Sequence, residues 1–390
     1  VANFIIIIDP DRDRRAQFFK TIEPLLPPVE GLITHSCASG GGDFQAIWAA
    51  ASTAPIDYAT DREGASFILG EAILPDSSTR IDADSLRQVW QDFNSEKLPI
   101  FDGFYAAAAY NRDRGLTVGA DLLGLFPIYF YADGDVILVG SSPELFRHHP
   151  HFRKKLNLAG LVGILLVNCL FEGQTLWQNV RRLKPGHLLV WRPNEPVREI
   201  AKYQISGSSD TDRYSKLSFN EQVDLLDRAF EKALTRLAPN DARCCLMLSG
   251  GLDSRMLAGF MSRLNLDSVA LTFGDRADLE MECAVSVARA LGFKHYSHPE
   301  MPFDRYPFYA RQTVKWEHLA NGFNCIRHWG FYDPIASLAP RVTAGHFDRS
   351  IGGKFIGVHH GGFSVELLEK LLRKELFGDV VREQAENLHN

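Results

Sequence analysis

Short apolar runs broken by tight polar turns fill the first half of the chain. Phe4 to Ile8 is wholly apolar and stops at Asp9-Pro10, the pattern of a buried strand. Ser66 to Leu69, Phe104 to Tyr110 and Leu116 to Ala120 read as further strands, the last two joined by the hairpin turn Asn111-Arg112-Asp113-Arg114-Gly115. Ile128 to Tyr131 is set to pair with Val136 to Gly140 across Ala132-Asp133-Gly134-Asp135, and His187 to Trp191 is the last strand before a polar stretch. Helical spacing interrupts the strands at Asp84 to Phe93 and starts again at Ser142 to Phe146. Strands this short and turns this tight predict an α+β domain over residues 1 to 205, an antiparallel sandwich with helices outside it.

The pattern changes after the polar linker at 207 to 215. Asn220 to Leu237 is an amphipathic helix with an alternating charged face. Cys244 to Leu248 is a continuous apolar strand, followed by a Gly-rich turn and a helix from Ser254 to Leu264. Ser268 to Thr272 is a second strand, Glu280 to Leu291 a helix closed by Gly292, and His295-Tyr296 the start of a third strand. Strand, helix, strand, helix, strand predicts an α/β domain with a parallel sheet over residues 210 to 390, with a charged helix from Ser364 near its end.

Composition narrows the partners. A chain of 390 residues has room for two cores. The net charge of -6 and the lack of any Lys/Arg run exclude nucleic acid as an obvious partner. Phe4 to Ile8 and the largely apolar Leu158 to Leu170, which contains Asn168, are too short to cross a bilayer, so no membrane partner is expected. Cysteines 37, 169, 244, 245, 283 and 325 contain no CxxC pair and read as reduced thiols of a cytoplasmic protein.

The chemistry concentrates at Ser249-Gly250-Gly251-Leu252-Asp253-Ser254, between a buried strand and a helix. Its two glycines are expected to let the backbone approach an anion through strained angles, while the amides of the turn and helix start point at it. Ser249 and Ser254 would add hydroxyl donors. Asp253 would repel phosphates unless a cation intervened, and Mg²⁺ is the hard cation that a carboxylate suits. The segment is no kinase-type phosphate loop, because no Lys-Ser/Thr follows its glycines.

Residues 244 to 258 resemble the ATP-pyrophosphatase loop of the asparagine synthetase family, which includes β-lactam-forming synthetases and peptide-cyclising relatives. Leu271-Thr272-Phe273-Gly274 resembles that family's second strand, whose backbone frames adenine. Ala284 to Gly292 resembles the helix after that strand, and His295 the family's short third strand. Ala344-Gly345-His346-Phe347-Asp348-Arg349-Ser350-Ile351-Gly352-Gly353 resembles its second phosphate-side motif, one residue shorter and with Arg349 where Glu is usual. The resemblance implies ATP and Mg²⁺ as cofactors. It implies Leu248, Ser249, Gly250, Gly251, Asp253, Ser254, Thr272, Phe273 and Gly345 as nucleotide contacts, and Asp253 and Asp348 as catalytic residues and metal ligands.

The first half resembles the family's class II glutamine amidotransferase domain, of Ntn-hydrolase-like fold. The likeness rests on Leu69-Gly70-Glu71, on Phe101-Asp102-Gly103-Phe104-Tyr105-Ala106 and on Ala120-Asp121-Leu122-Leu123-Gly124. It continues through Pro127-Ile128-Tyr129, Ser141-Ser142-Pro143-Glu144 and Arg182-Leu183-Lys184-Pro185-Gly186-His187 with Tyr203. Glutaminases of this class use the thiol of an N-terminal cysteine. Residue 1 here is Val, no cysteine precedes Cys37, no Arg near Cys37 stands ready for the glutamine carboxylate, and Leu69 replaces the Asn that serves the oxyanion. The expectation is a non-catalytic scaffold.

The implied reaction is therefore carboxylate adenylation with release of pyrophosphate and attack by an amine, in the manner of a lactam or peptide cyclase. The partners would be a small-molecule or peptide carboxylate and its amine acceptor, with a homodimer or a partner protein as further candidates. The alternative is an inactive relative that serves as a nucleotide-binding or protein-interaction module. Family members continue past the segment that corresponds to Asn390 and there supply a Lys, so a chain naturally ending at Asn390 is expected to bind MgATP without turnover. Lys315, Glu317 and His318 could approach the acyl substrate. Trp316, Phe323, Trp329 and Phe331 could line an acceptor pocket or simply fill a core. His346 could touch phosphate, whereas His295, His298, His359 and His360 show no metal-ligand spacing. Arg181-Arg182 reads as a surface feature of the linker.

Overall fold

A computed structural model of the chain describes residues 3–28, 30–90, 97–167, 170, 173–203, 214–238, 243–275, 277–316, 326, 330 and 332–344. The chain divides into two compact units, one built on residues up to 205 and one on residues 206–310 together with a later segment.

The first unit runs β1 (Phe4–Ile8), α1 (Arg12–Ile22), β2 (Ile33–Ala38), β3 (Phe44–Ala50), β4 (Ile56–Thr60), β5 (Gly64–Ile73), α2 (Ala83–Trp90), β6 (Asp102–Asn111) and β7 (Gly115–Ala120). It continues with β8 (Tyr129–Asp133), β9 (Val136–Gly140), α3 (Leu158–Val167), β10 (Arg181–Arg182), β11 (His187–Trp191) and β12 (Arg198–Ala201). Two six-stranded sheets result, in the orders β10-β8-β9-β1-β3-β2 and β12-β11-β7-β6-β5-β4. Every pairing in them is antiparallel.

Side-chain alternation lays the sheets face to face. Phe4, Ile6, Phe44, Trp48, Phe67, Ala106, Ala108, Val118 and Val139 share one buried cluster drawn from both sheets. Ala107 and Ala109 of β6 turn the other way, toward Leu86 and Trp90 of α2. The alanine run of β6 is thus a strand buried on both faces, with bulk supplied by its neighbours. The sequence pattern misses α1, β2, β3, β4 and β12. β2 and β4 are largely exposed edge strands, and α1 buries only Arg15, Phe18 and Ile22 amid charge, so neither period is clear. The helix expected from Ser142 is only a 3₁₀ turn over Leu145–His148. Arg181-Arg182 is a short strand paired with β8 and not a linker feature.

A buried polar cluster ties α1 to that 3₁₀ turn. Asp9 is fully buried and accepts from Arg14 Nε at 2.6 Å, Arg14 Nη2 at 2.5 Å and the Asp11 amide at 2.9 Å. His149 Nε2 lies 3.1 Å from Asp9 Oδ2, while His149 Nδ1 accepts from the His151 amide at 3.2 Å. An Nδ1 that accepts is bare, so the proton sits on Nε2 and is donated to Asp9. Burial alone would raise the Asp9 carboxyl, but the Arg14, Asp11 and His149 hydrogen bonds outweigh it and hold the carboxyl below its ordinary range. Burial pushes His149 down, against the pull of Asp9.

The second unit contains α4 (Phe219–Leu237), β13 (Cys244–Met247), α5 (Leu252–Arg263), β14 (Ser268–Phe273), α6 (Leu279–Leu291) and β15 (Lys294–His298). The chain goes on to α7 (Tyr306–Trp316), α8 (Tyr332–Leu338) and β16 (Arg341–Ala344). The sheet order is β15-β14-β13-β16, parallel throughout. Central β13 is apolar because both its faces are covered: Leu246 packs with Leu257, Met261 and Ala284, and Cys245 with Leu271 and Ala339. Gly292 ends α6 in the left-handed region at φ 75°, and Ser218 with Glu221 forms a capping box on α4. Among the described residues, no helix is long and apolar enough to cross a membrane.

Candidate nucleotide site

The loop 249–254 leaves the C-terminal end of β13, the edge of a parallel sheet where ligands bind. Leu248 is buried and held from both sides. Its amide donates to Leu271 O at 2.9 Å and its carbonyl accepts from Thr272 Oγ1 at 2.6 Å. Thr272 Oγ1 also lies 2.9 Å from His295 Nε2. The hydroxyl proton goes to Leu248 O, so the imidazole must donate from Nε2. Sequence spacing gave His295 no role, because its partner comes from the neighbouring strand.

The two serines close the loop on itself. Ser254 Oγ is buried, donates to Ser249 O at 3.0 Å, and lies 3.1 Å from Ser249 N and 2.9 Å from Ser249 Oγ. Gly251 N donates to Ser249 Oγ at 3.2 Å. Both hydroxyls are thus engaged within the loop, where the sequence expectation had them as donors to an anion. The glycines differ from it as well. Neither has a positive φ, and Gly251 is extended at φ -73° and ψ 160°. Gly250 is crowded instead: a Cβ there would lie 3.1 Å from Glu280 Cα and 3.3 Å from Cys283 Cβ, tighter than ordinary contact. The first turn of α6 is therefore a wall of the loop, a contact between segments that no local pattern shows.

No side chain caps α5, which leaves its first-turn amides for an anion. Asp253 stands half-buried in that turn. Its hard carboxylate beside an anion cradle suits Mg²⁺, and among the described residues no group of three metal-ligating side chains gathers. Thr272 and Phe273 end β14. The Thr272 hydroxyl is spent within the protein, and the Phe273 ring centroid lies 5.6 Å from that of His298. β16 runs parallel beside β13 with Ala344 opposite Met247, directly before Gly345 in sequence. Gly345, His346, Asp348, His359 and His360 lie outside the described residues, as do Glu317, His318, Phe323, Trp329, Phe331, Cys169 and Cys325 and the side chains of Lys315 and Trp316.

The Thr272 bridge gives a separable prediction. Thr272→Val removes the donor to Leu248 O and leaves that buried carbonyl unpaired, so the second unit should lose about 1–3 kcal/mol of stability, while Thr272→Ser should keep it. The urea midpoint reads the difference, and equal losses in both variants would contradict it.

In the first unit, Leu69 is fully buried in the core between the sheets and paired with Ala106. Gly70 has φ 98°, and a Cβ there would collide with the Phe104 carbonyl. Glu71 forms an ion pair with Arg80 at 3.0 Å. Cys37 is buried, and burial pushes its thiol up to about 12. Burial likewise pushes Cys244 and Cys245 up to about 11.

Two family models match the chain in tandem. Residues 74–203 match a glutamine amidotransferase domain and residues 225–307 match asparagine synthase, the latter spanning the loop 249–254. The chain belongs to the asparagine synthetase family. Among curated members, glutamine-hydrolyzing asparagine synthetase 3 of Bacillus subtilis strain 168 is 26% identical over 176 residues, 44% of this chain and 28% of that protein. A putative glutamine-hydrolyzing asparagine synthetase of Mycobacterium bovis is 22% identical over 223 residues, 55% of this chain and 34% of that protein. The chain thus spans about a third of the length of the asparagine synthetases it matches. The glutamine phosphoribosylpyrophosphate amidotransferase of B. subtilis, solved with ADP and GMP, aligns with 76% of this chain and 65% of its own at 12% identity. Its TM-score is 0.33, too low to bear on the fold.

Proposed function

We propose that this asparagine synthetase-family chain binds MgATP at the loop 249–254 and cleaves it between the α and β phosphates to activate a carboxylate for amide formation. One observation carries the reading: an uncapped helix start with Asp253 in its first turn, at the C-terminal edge of a parallel sheet. First-turn amides of α5 would hold the pyrophosphate portion, with Ser249 freed from Ser254 to join them. The backbone at Thr272 and Phe273 would frame adenine. Asp253, with Asp348 and Gly345 from the second motif, would hold Mg²⁺ and phosphate. When bound, the cation would neutralise charge developing on the leaving pyrophosphate. The substrate carboxylate would attack the α-phosphorus as pyrophosphate departs, and an amine would then take the acyl group and release AMP. The boundary between an amidotransferase-like domain and the synthetase domain would fall between 205 and 210. Carboxylate-dependent exchange of labelled pyrophosphate into ATP tests this, and ADP as the lasting product would refute it.

We further infer that the first domain, Ntn-hydrolase-like in layering, does not hydrolyse glutamine. The Leu69 side chain has no polar atom to offer an oxyanion, and Cys37 is buried and protonated. Glutamate release from glutamine should stay at buffer background, in the wild type and in Leu69→Asn alike. Release above background in the wild type would overturn the inference. The amine acceptor would then be something other than glutamine-derived ammonia, within the acyl substrate or separate from it.

A further inference from the structure

Two segments far apart in sequence close around one cavity of the first unit. It encloses about 520 Å³, within the range of small-molecule sites, and its lining includes Leu123, Leu170, Gln174, Arg182, Lys184 and His187. Its walls are fixed. The buried Asp121 carboxylate accepts from the amides of Leu123 at 3.1 Å, Leu125 at 2.9 Å and Phe126 at 2.7 Å, which locks the turn that carries Leu123. Three glycines in the left-handed region lie in or beside the turns that carry the lining residues, and of these Gly173 lines the cavity itself. Gly124 (φ 62°) packs against Pro185, Gly173 (φ 74°) against the Arg182 carbonyl and Gly186 (φ 69°) against the Tyr203 carbonyl. Arg182 N donates to Gly173 O at 2.8 Å, and Arg182 Nη2 donates to Gly124 O at 2.9 Å. Any side chain at these glycines would be strained, so the turns that frame the cavity depend on glycine.

Among the described lining residues the charge is one-sided: Arg182 and Lys184 are both half-buried, and no carboxylate joins them. Lys184's ammonium has no hydrogen-bond or ion-pair partner among the described residues, and Arg182 spends one of its donors on Gly124. Leu123 and Leu170 add apolar wall. Two cations beside an apolar surface, unneutralised by the described lining, match an anion that carries a hydrocarbon body.

We propose that this cavity binds a small organic acid, its carboxylate between Arg182 and Lys184 and its hydrocarbon body against Leu123 and Leu170. The site lies wholly in the first unit and is independent of the loop 249–254, so it stands or falls apart from the nucleotide reading. Hexanoate and hexanamide, alike in shape and different in charge, serve as probes of the full chain by titration calorimetry in low-chloride buffer. Hexanoate should bind at least about tenfold tighter than hexanamide, the worth of a charge-assisted hydrogen bond. Lys184→Met, which keeps the apolar stem, should remove about that tenfold for hexanoate and leave hexanamide unchanged. Leu123→Glu, at an exposed position, should block hexanoate through like charge and so keeps the test sharp should the first variant fold poorly. Absent heat with hexanoate at about 10 mM, equal affinity for acid and amide, or wild-type hexanoate affinity in both variants would overturn the proposal.

Discussion

Asp253→Ala should abolish pyrophosphate exchange, with a loss of about a hundredfold or more, and remove the Mg²⁺-dependent part of ATP binding. The two effects of this side chain have opposite signs, which makes the test specific. Without ligand, a carboxylate in the first turn of α5 favours the helix dipole, so the variant should be less stable by about 0.3–1 kcal/mol. With ATP alone, the same carboxylate repels phosphate, so the variant should bind metal-free ATP no worse than the wild type. Only with MgATP should the wild type pull ahead. At a ligand concentration about a hundred times Kd, its added stability is about 2.7 kcal/mol, read as a rise in Tm, and most of this should vanish in the variant. Equal MgATP shifts in both proteins would refute the role of Asp253, and no shift in the wild type at millimolar MgATP would count against the site itself.

Asp9→Ala should destabilise the first unit by about 3 kcal/mol or more, because it leaves Arg14 and the fully buried His149 without their shared acceptor. Asp9→Asn keeps an acceptor oxygen and should lose less. The urea midpoint measures both, and a change under about 0.5 kcal/mol in the alanine variant would show that the cluster is dispensable. The same cluster sets a pH dependence. In the unfolded chain His149 takes a proton below about pH 6.5, while burial keeps it neutral in the fold to lower pH. The unfolded state then binds more protons, so stability is full above that pH and declines as the pH falls through it. His148, also pushed down by burial, adds to the slope. His149→Gln should therefore flatten the decline between pH 7 and 5.5 without removing it. Asp9 acts at lower pH: its contribution is present above the ordinary carboxyl range and is lost as the pH falls through its lower value in the fold.

The layout of the second unit was legible because its signals are local. β13 reads as an unbroken apolar run, the Gly-Gly turn and helix come at once after it, and Gly292 marks the end of α6 by its own conformation. The strand pair at 129–140 was legible for the same reason, since a tight turn fixes its partner. What sequence could not give is any contact between segments distant along the chain. β2 and β4 are exposed edges whose identity depends on β3 and β5 beside them. Gly250 was read as a conformational need, whereas the structure makes it a matter of room beside Glu280 and Cys283. The serines were read as donors to a ligand, yet they bond to each other once the loop folds. His295 acquired a role only when β15 was laid beside β14. Sequence alone thus determined which residues carry charge, hydroxyls and small size, and where strands and helices alternate, because those properties belong to single residues and short periods. The tertiary structure decided which groups are free and which are spent on one another, because hydrogen bonds and close packing join residues that only the folded chain brings together.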